Sequence, residues 1–209
     1  MKKLLFLLLI LILTIFMVST QPQPSSVIND FVVTGNNSNI IVIRAYIGRN
    51  TVIQIPENMQ GRAVAAIGEW AFSELGLTSV TLPNNLVYIG EGAFWTNNIN
   101  SIIIPNNVIA IGRTAFAENR LSHVQLPNTL ISIADQVFAN NRLTNIEIPD
   151  FVVSIGNHAF WGNNITRIRI GQNVTISNNA FQNNFTSFYN NNRQRAGIYT
   201  FSNGRWSFN

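Results

Sequence analysis

The chain contains no cysteine and few charged residues of either sign. Of its 209 residues 11% are charged, and the formal net charge is +4. The lack of cysteine excludes a disulfide scaffold, a thiol enzyme and a cysteine-ligated zinc finger. Both lysines, Lys2 and Lys3, lie at the amino terminus, so the rest of the chain has eleven arginines against nine acids. An excess of two positive charges is too small to form the basic patch of a nucleic-acid-binding protein, so we predict no nucleic-acid partner.

The first twenty residues are typical of an export signal. Lys2 and Lys3 precede a run over residues 4–18 that is apolar except for Thr14. This run is shorter than the roughly 20 residues of a membrane-spanning helix, which favours cleavage, with an uncleaved anchor as the alternative. We therefore predict a signal peptide at 1–20, a linker at 21–27, and an exported protein that is secreted or held at the cell surface.

An internal repeat of 22 residues occupies most of the remaining chain. Five phenylalanines follow one another at this interval and a sixth comes after 21 residues, and proline keeps the same interval. The residues are Phe72, Phe94, Phe116, Phe138, Phe160 and Phe181, with Pro83, Pro105, Pro127 and Pro149. A unit this short cannot close a core alone, and its length lies in the leucine-rich-repeat range. The period predicts a β-rich leucine-rich-repeat solenoid over 67–181, with parallel strands joined by short turns or 3-10 segments.

Within each repeat the strand has two faces. Val80 and Leu82 are two residues apart and face the core, so Ser79 and Thr81 face outward. Proline cannot donate to a strand ladder, and each Pro therefore marks a strand end. From Phe94 onward, an asparagine lies three residues after each repeat Phe and has the amide donors and acceptor to satisfy turn backbone groups in stacked copies. These residues are Asn97, Asn119, Asn141, Asn163 and Asn184.

Both ends of the solenoid are predicted to be capped, because an open end exposes core and strand edge. Residues 28–66 are predicted to form an N-terminal hairpin cap and an extended first repeat. Residues 182–209 are predicted to form a C-terminal cap, with a hairpin turn at Asn203-Gly204. That turn pairs Phe201 with Trp206 and places Tyr199 opposite Phe208, which puts four aromatic rings on one face. Residues 190–195 are predicted to be a mobile connection.

The repeat resembles the BspA-like leucine-rich-repeat family of bacterial surface proteins. The resemblance rests on units such as L-T-N-I-E-I-P at residues 143–149 and I-G-N-H-A-F at 155–160, and the C-terminal tail is similar to spirochaetal members. It implies a non-enzymatic exported or surface protein. In some relatives this role is attachment to host matrix glycoproteins such as fibronectin and fibrinogen. No individual binding residue follows from the resemblance.

The outward strand positions are the candidate binding surface. They vary from repeat to repeat, and a flat array of mixed polar groups suits a protein or glycoprotein partner. The predicted site residues are His123, Gln125, Asn145, Glu147, Arg167 and Arg169. Because no acid follows Asp150, the arginine-rich C-terminal end is a second candidate, for an acidic glycan. Trp95 and Trp161 are candidate anchors, although packing on the turn explains them as well.

Catalysis is not expected. The two histidines, His123 and His158, lie in different columns of the repeat, and no metal-ligand, nucleophile or phosphate-loop motif occurs. We predict no cofactor. The alternative to a binding module is a structural role in envelope or surface assembly through self-association.

Overall fold

The computed structural model describes residues 25–35 and 40–208. The predicted signal peptide at 1–20 lies outside these ranges. The described chain is a β-solenoid, as predicted, in which each rung contributes one short strand to each of two faces.

The front face of the solenoid consists of the strands that end before the repeat proline. They are β4 (Val52–Gln54), β7 (Ser79–Thr81), β9 (Ser101–Ile103), β11 (His123–Gln125), β13 (Asn145–Glu147) and β15 (Arg167–Ile170). They form three parallel pairs, β4 with β7, β9 with β11, and β13 with β15. These pairs lie side by side, since β7 also contacts β9 and β11 contacts β13.

The back face consists of a second set of parallel strands. They are β6 (Arg62–Ile67), β8 (Tyr88–Ile89), β10 (Ala110–Ile111), β12 (Ser132–Ile133), β14 (Ser154–Ile155) and β16 (Thr175–Ile176). Strands β6, β8 and β10 pair in that order, as do β12, β14 and β16. The turn side of the solenoid is the stretch of each repeat from the back strand through the Phe to the Asn.

The repeat phenylalanines form one continuous buried stack. Successive rings from Phe72 to Phe181 have centroids 4.9 to 5.7 Å apart and planes within 15° of parallel. Each of them is at most 4% exposed. The stack confirms the prediction that the rungs share one interior. Tyr46 continues it at the N-terminal end, 5.8 Å from Phe72.

Buried asparagines run beside the phenylalanines and hold successive turns together. In Asn119, Nδ2 donates to the carbonyl of Phe94 in the preceding repeat at 2.9 Å, and Oδ1 accepts from the N–H of Ile99 at 3.1 Å. Asn97, Asn141 and Asn163 repeat this pattern. The predicted role of this column is therefore confirmed at four positions. At the fifth, Asn184 has φ 57° and precedes a helix without a side-chain capping bond.

Glycine in the repeat serves close packing between rungs. A Cβ at Gly90 would lie 2.6 Å from the backbone N of Glu69 on the rung before, too close for any side chain without movement. One rung later, a Cβ at Gly112 would collide in the same way with the backbone N of Glu91. Neither residue has a left-handed φ, so contact between rungs explains them and backbone freedom does not.

The N-terminal cap extends the back face. Strand β3 (Ile40–Tyr46) pairs in parallel with β6, and β2 (Phe31–Gly35) pairs antiparallel with β3, as the hairpin prediction requires. The outermost strand, β1 (Ser25–Ile28), pairs antiparallel with β2. Residues 25–27 thus belong to the sheet rather than to the predicted linker. The extended first repeat adds β5 (Asn58–Met59), which pairs antiparallel with β6.

The C-terminal cap extends the front face. Its hairpin consists of β17 (Gly197–Ser202) and β18 (Arg205–Phe208), with Tyr199 opposite Phe208 and Phe201 opposite Trp206 as predicted. The hairpin does more than cover the last repeat, because β17 pairs antiparallel with β15. Upstream of it lies helix α1 (Phe185–Asn191), which includes the first two residues of the predicted mobile connection.

Candidate functional site

The six predicted site residues all belong to the front face. Strands β11 and β13 each place one buried residue, Val124 or Ile146, between two exposed ones. In β15, Ile168 is buried between Arg167, which is exposed, and Arg169, which is half-buried. The outward direction of these positions is therefore confirmed, although exposure alone gives them no binding role.

The strand register separates the six residues into two groups. Asn145 lies opposite Arg167, and Glu147 lies opposite Arg169, across the β13–β15 pair. All four line a shallow depression of about 400 Å³ together with Thr144, Ile146 and Thr166. We call it the β13–β15 depression.

His123 and Gln125 lie on β11, which pairs with β9 on its N-terminal side and not with β13. They lie opposite Ser101 and Ile103 on β9 and do not line the β13–β15 depression. Ile103 is 63% exposed, so this part of the front face combines polar groups with one large apolar side chain.

The charges around the β13–β15 depression are of mixed sign. Arg169 forms an ion pair with Asp150, at 3.1 Å from Nη2 to Oδ1, which is the one ion pair within the described ranges. Both side chains are in contact with solvent, Arg169 at 43% and Asp150 at 67% exposure, so the pair stabilises the fold by at most about 1 kcal/mol. The guanidinium of Arg167 and the carboxylate of Glu147 have no protein partner among the described residues. They are thus available to a ligand.

The C-terminal hairpin forms the border of the β13–β15 depression. Because β17 pairs with β15, Thr200 lies opposite Arg167 and Ile198 lies opposite Arg169. The other arginines of the basic end are separate from this site. Arg195 packs over the ring of Phe208 at 4.6 Å, and Arg193 and Arg205 are exposed. Of the five C-terminal arginines, only Arg167 and Arg169 line the β13–β15 depression.

Burial around the cap changes the acidity of its tyrosines. The hydroxyl of Tyr189 donates to the carbonyl of Gly171 at 2.6 Å and accepts from the N–H of Val174. Burial raises its pKa. Burial, followed by the influence of Tyr189, also raises the pKa of Tyr199 to about 12. Both groups are neutral at physiological pH and act as structural hydrogen-bonding groups.

Three tryptophans lie on the turn side. Trp95 is half-buried, and Trp161 is 42% exposed with its ring 5.5 Å from that of His158. The most exposed is Trp70, at 47%, and the repeat pattern gave no reason to single it out. A search for large apolar residues in columns otherwise occupied by small or polar ones would have found it.

Two further properties concern metal binding and the membrane. Within residues 25–35 and 40–208, no group of three or more His, Asp or Glu side chains is placed to hold a metal ion. None of the helical segments described has the length and hydropathy to cross a bilayer.

Comparison with known proteins places this geometry in a family. The family model for the BspA type leucine rich repeat region matches residues 45–140 and 109–206, with six copies. The chain belongs to this family. The match begins in β3 and ends in β18, so it includes the β13–β15 depression and the hairpin beside it. No curated protein sequence matches the chain.

Solved structures agree with the family assignment at the level of the fold. The crystal structure of the pneumococcal vaccine antigen PcpA has a TM-score of 0.53 and 15% identity, and the match covers 74% of this chain and 51% of PcpA. A leucine rich cell surface protein from Faecalibacterium prausnitzii is 21% identical, with a TM-score of 0.47, over 91% of this chain and 62% of its own. The chain thus spans between half and two thirds of the length of these proteins.

Proposed function

We propose that this chain is an exported, non-enzymatic surface protein that binds a protein or glycoprotein partner through its front face. The β13–β15 depression is the centre of this binding surface. Membership of the BspA type leucine rich repeat family supports a protein-binding role at the cell surface. The cell-surface description of the Faecalibacterium structure supports the same location.

The in-register pairing across β13 and β15 is the observation that carries the proposal. It brings a free guanidinium, a free carboxylate and an amide into one shallow depression, on Arg167, Glu147 and Asn145. Arginine is among the residues that most often dominate binding energy at protein interfaces. A small molecule is usually enclosed on most sides, whereas this depression opens onto a flat strand face. The geometry therefore favours a macromolecular partner.

The mixture of charges favours a protein partner over an acidic glycan. Glu147 and Asp150 lie beside Arg167 and Arg169, and the ion pair with Asp150 partly neutralises Arg169. A polyanion would meet repulsion from both carboxylates, whereas a protein can present charges of both signs in complementary places. Host matrix glycoproteins such as fibronectin and fibrinogen, which the family resemblance implies, are the partners we propose.

A second candidate function is self-association, and the N-terminal edge of the front face favours it. The carbonyl of Thr51 and the N–H of Ile55 point toward β7. The carbonyl accepts from the N–H of Ser79, and the N–H donates to the carbonyl of Thr81. The backbone groups of Val52 and Gln54 therefore point to the opposite edge of β4, where no described strand pairs with them. An open edge of this kind can accept a strand from another chain.

The test compares two sets of outward substitutions on the same face. One variant combines Asn145→Ala, Glu147→Ala and Arg167→Ala, and its matched control combines Ser79→Ala, Thr81→Ala and Ser101→Ala. Binding of the full chain to purified fibronectin and fibrinogen is measured by surface plasmon resonance. We expect the first variant to bind at least about tenfold more weakly, as the loss of one interface hot spot would cause. The control should change affinity by less than about twofold.

Two outcomes would reject the proposal. One is that the unaltered chain binds neither glycoprotein, and the other is that the Asn145, Glu147 and Arg167 alanine variant binds as tightly as the control variant. Light scattering of the same samples tests the second candidate. Self-assembly that Val52→Lys abolishes, without binding to either glycoprotein, would establish the structural role.

A further inference from the structure

Two tryptophans on successive rungs of the turn side form a partly exposed aromatic pair. The ring centroids of Trp70 and Trp95 are 6.0 Å apart, and the planes meet at 85°. The indole of Trp70 lies over Gly92, where any added Cβ would collide with it. Trp70 has φ 58°, in a column otherwise occupied by Gly, Thr, Gln and His. A ring that is 47% exposed at this position presents its surface to solvent.

Carboxylates flank this aromatic pair. Glu69 directly precedes Trp70, and Glu91 precedes the glycine that the indole covers. The backbone N–H of Trp70 donates to the carbonyl of Glu91 at 2.9 Å, which holds the two rungs in this arrangement. Burial raises the pKa of Tyr88, and the charges of Glu69 and Glu91 raise it further. Both carboxylates therefore lie near the hydroxyl of Tyr88, on the rungs that carry Trp70 and Trp95.

Within residues 25–35 and 40–208, no cationic side chain forms an ion pair with these carboxylates. Between Arg62 and Arg113 there is no basic residue, and neither Glu69 nor Glu91 forms an ion pair within the described ranges. Arginines do occur on the neighbouring rungs, but none of their described side-chain hydrogen bonds or ion pairs is to Glu69 or Glu91. Arg44 donates to Thr34 Oγ1 at 3.1 Å. Arg113 donates twice to Gln136 Oε1, at 3.2 and 2.9 Å, on the side away from Glu91.

We propose that Trp70, Trp95, Glu69 and Glu91 form a second docking surface, which takes an arginine-rich segment of a partner protein. We call it the tryptophan–carboxylate surface. A guanidinium stacks on an indole face through cation–π attraction, and the adjacent carboxylates accept its hydrogen bonds. Charge complementarity thus selects the occupant, because an acidic or neutral segment would leave both carboxylates without a partner. This surface lies on the turn side and is independent of the front-face function.

Trp161 shows why the aromatic side chain alone does not make the site. It is exposed to a similar degree, at 42%, but its aromatic neighbour is His158 and no acidic residue follows Asp150 in the chain. In the column that holds Glu69 and Glu91, its own repeat has Asn157, and the carboxylate of Asp135 on the preceding rung already accepts from the N–H of Asn157 at 2.7 Å. This contrast makes Trp161 the matched control.

The experiment titrates the full chain with a capped hexa-arginine peptide and follows tryptophan fluorescence and heat. The substitutions use residues that the same columns already contain, so that folding is preserved. Trp70→Thr copies Thr114, Trp95→Ala copies Ala117, and the control Trp161→Ala copies Ala139. The pair Glu69→Gln and Glu91→Gln removes the charges at nearly constant shape. Denaturant midpoints of all variants verify that they are folded.

We expect Trp70→Thr to weaken hexa-arginine binding about fivefold, within the range of a single cation–π contact. The double glutamine variant should weaken it about tenfold, and 0.5 M salt should have a comparable effect. Trp161→Ala should leave affinity within about twofold.

Equal affinity for hexa-arginine and hexa-glutamate would overturn the proposal, as would equal losses in Trp70→Thr and Trp161→Ala. So would self-association that the glutamine pair abolishes, because the occupant would then be a second copy of this chain. Failure of the front-face function leaves these readouts unaffected. The Asn145, Glu147 and Arg167 alanine variant should bind hexa-arginine like the unaltered chain.

Discussion

The interior phenylalanine column and the outward front-face columns of this solenoid belong to the same repeats but follow opposite rules. Along the interior, Phe follows Phe for six rungs with nearly parallel rings. Along the front face, one outward column changes in chemistry from rung to rung. It runs Ser79, Ser101, His123, Asn145 and Arg167. The phenylalanines lie in the turns with their rings in the core, whereas strand alternation directs the outward column to solvent, so stability and recognition can be altered separately.

The largest effect is expected in the phenylalanine stack. Phe116→Ala should lower the free energy of unfolding by about 3–5 kcal/mol, because the ring is fully buried between two stacked neighbours and its removal leaves a cavity. Urea unfolding monitored by circular dichroism measures this change. Phe151→Ala is the matched control, since Phe151 is 58% exposed and should change stability by less than about 0.5 kcal/mol. Similar losses at both positions would refute the separation of interior and surface.

A somewhat smaller effect is expected in the asparagine column. Asn119→Leu keeps a similar side-chain shape but leaves the N–H of Ile99 without its amide acceptor, whereas the carbonyl of Phe94 keeps a bond from Asn97 Nδ2 at 3.0 Å. An unsatisfied buried group costs about 1–3 kcal/mol, and we expect a loss of this size in the same urea experiment. The control is Asn128→Leu, at an exposed position. A stable Asn119→Leu protein would mean that the rungs need no side-chain hydrogen bonds.

The smallest effect concerns the cap, where the interior is no longer periodic. Because the pKa of Tyr199 is raised to about 12 from an ordinary value of 10.0, the unfolded chain loses this proton first as the pH rises. The stabilisation is complete below pH 10 and is lost between pH 10 and about 12, at no more than about 1.4 kcal/mol per pH unit. Urea midpoints from pH 9 to 12 measure this dependence.

Tyr199→Phe is the control for this alkaline transition, since it removes the titrating hydroxyl. It should reduce the pH dependence without abolishing it, because the pKa of Tyr189 is raised as well. An unchanged slope in Tyr199→Phe would show that the buried hydroxyl of Tyr199 does not couple ionisation to folding.

The two ends of the solenoid differ in a way that the sequence did not predict. The N-terminal cap continues the back face through β3, whereas the C-terminal cap continues the front face through β17. Both hairpins were predicted from alternating residues and turn signals. Which face each hairpin would join depends on the path of the chain over the end of the core, and local pattern carries no information about it.

The candidate site could also be predicted only in part from the sequence. The outward direction of Asn145 and Arg167 follows from strand alternation. Their placement opposite each other follows from a constant 22-residue period once parallel pairing is assumed. The ion pair between Arg169 and Asp150 could not be predicted, because it joins a strand residue to a residue beyond the proline of the preceding rung. Nor could the orientation of Trp70 over Gly92, which depends on contact between rungs.

By itself, the sequence determined that short units stack, which side chains enter the shared interior, and which asparagines join the rungs. These properties follow from spacing, since apolar burial and strand alternation act identically in every repeat. Only the tertiary structure decided which outward residues meet, which arginines remain free, and which face each cap extends. Those outcomes depend on contacts between residues far apart in the chain, where geometry selects one partner among several of similar chemistry.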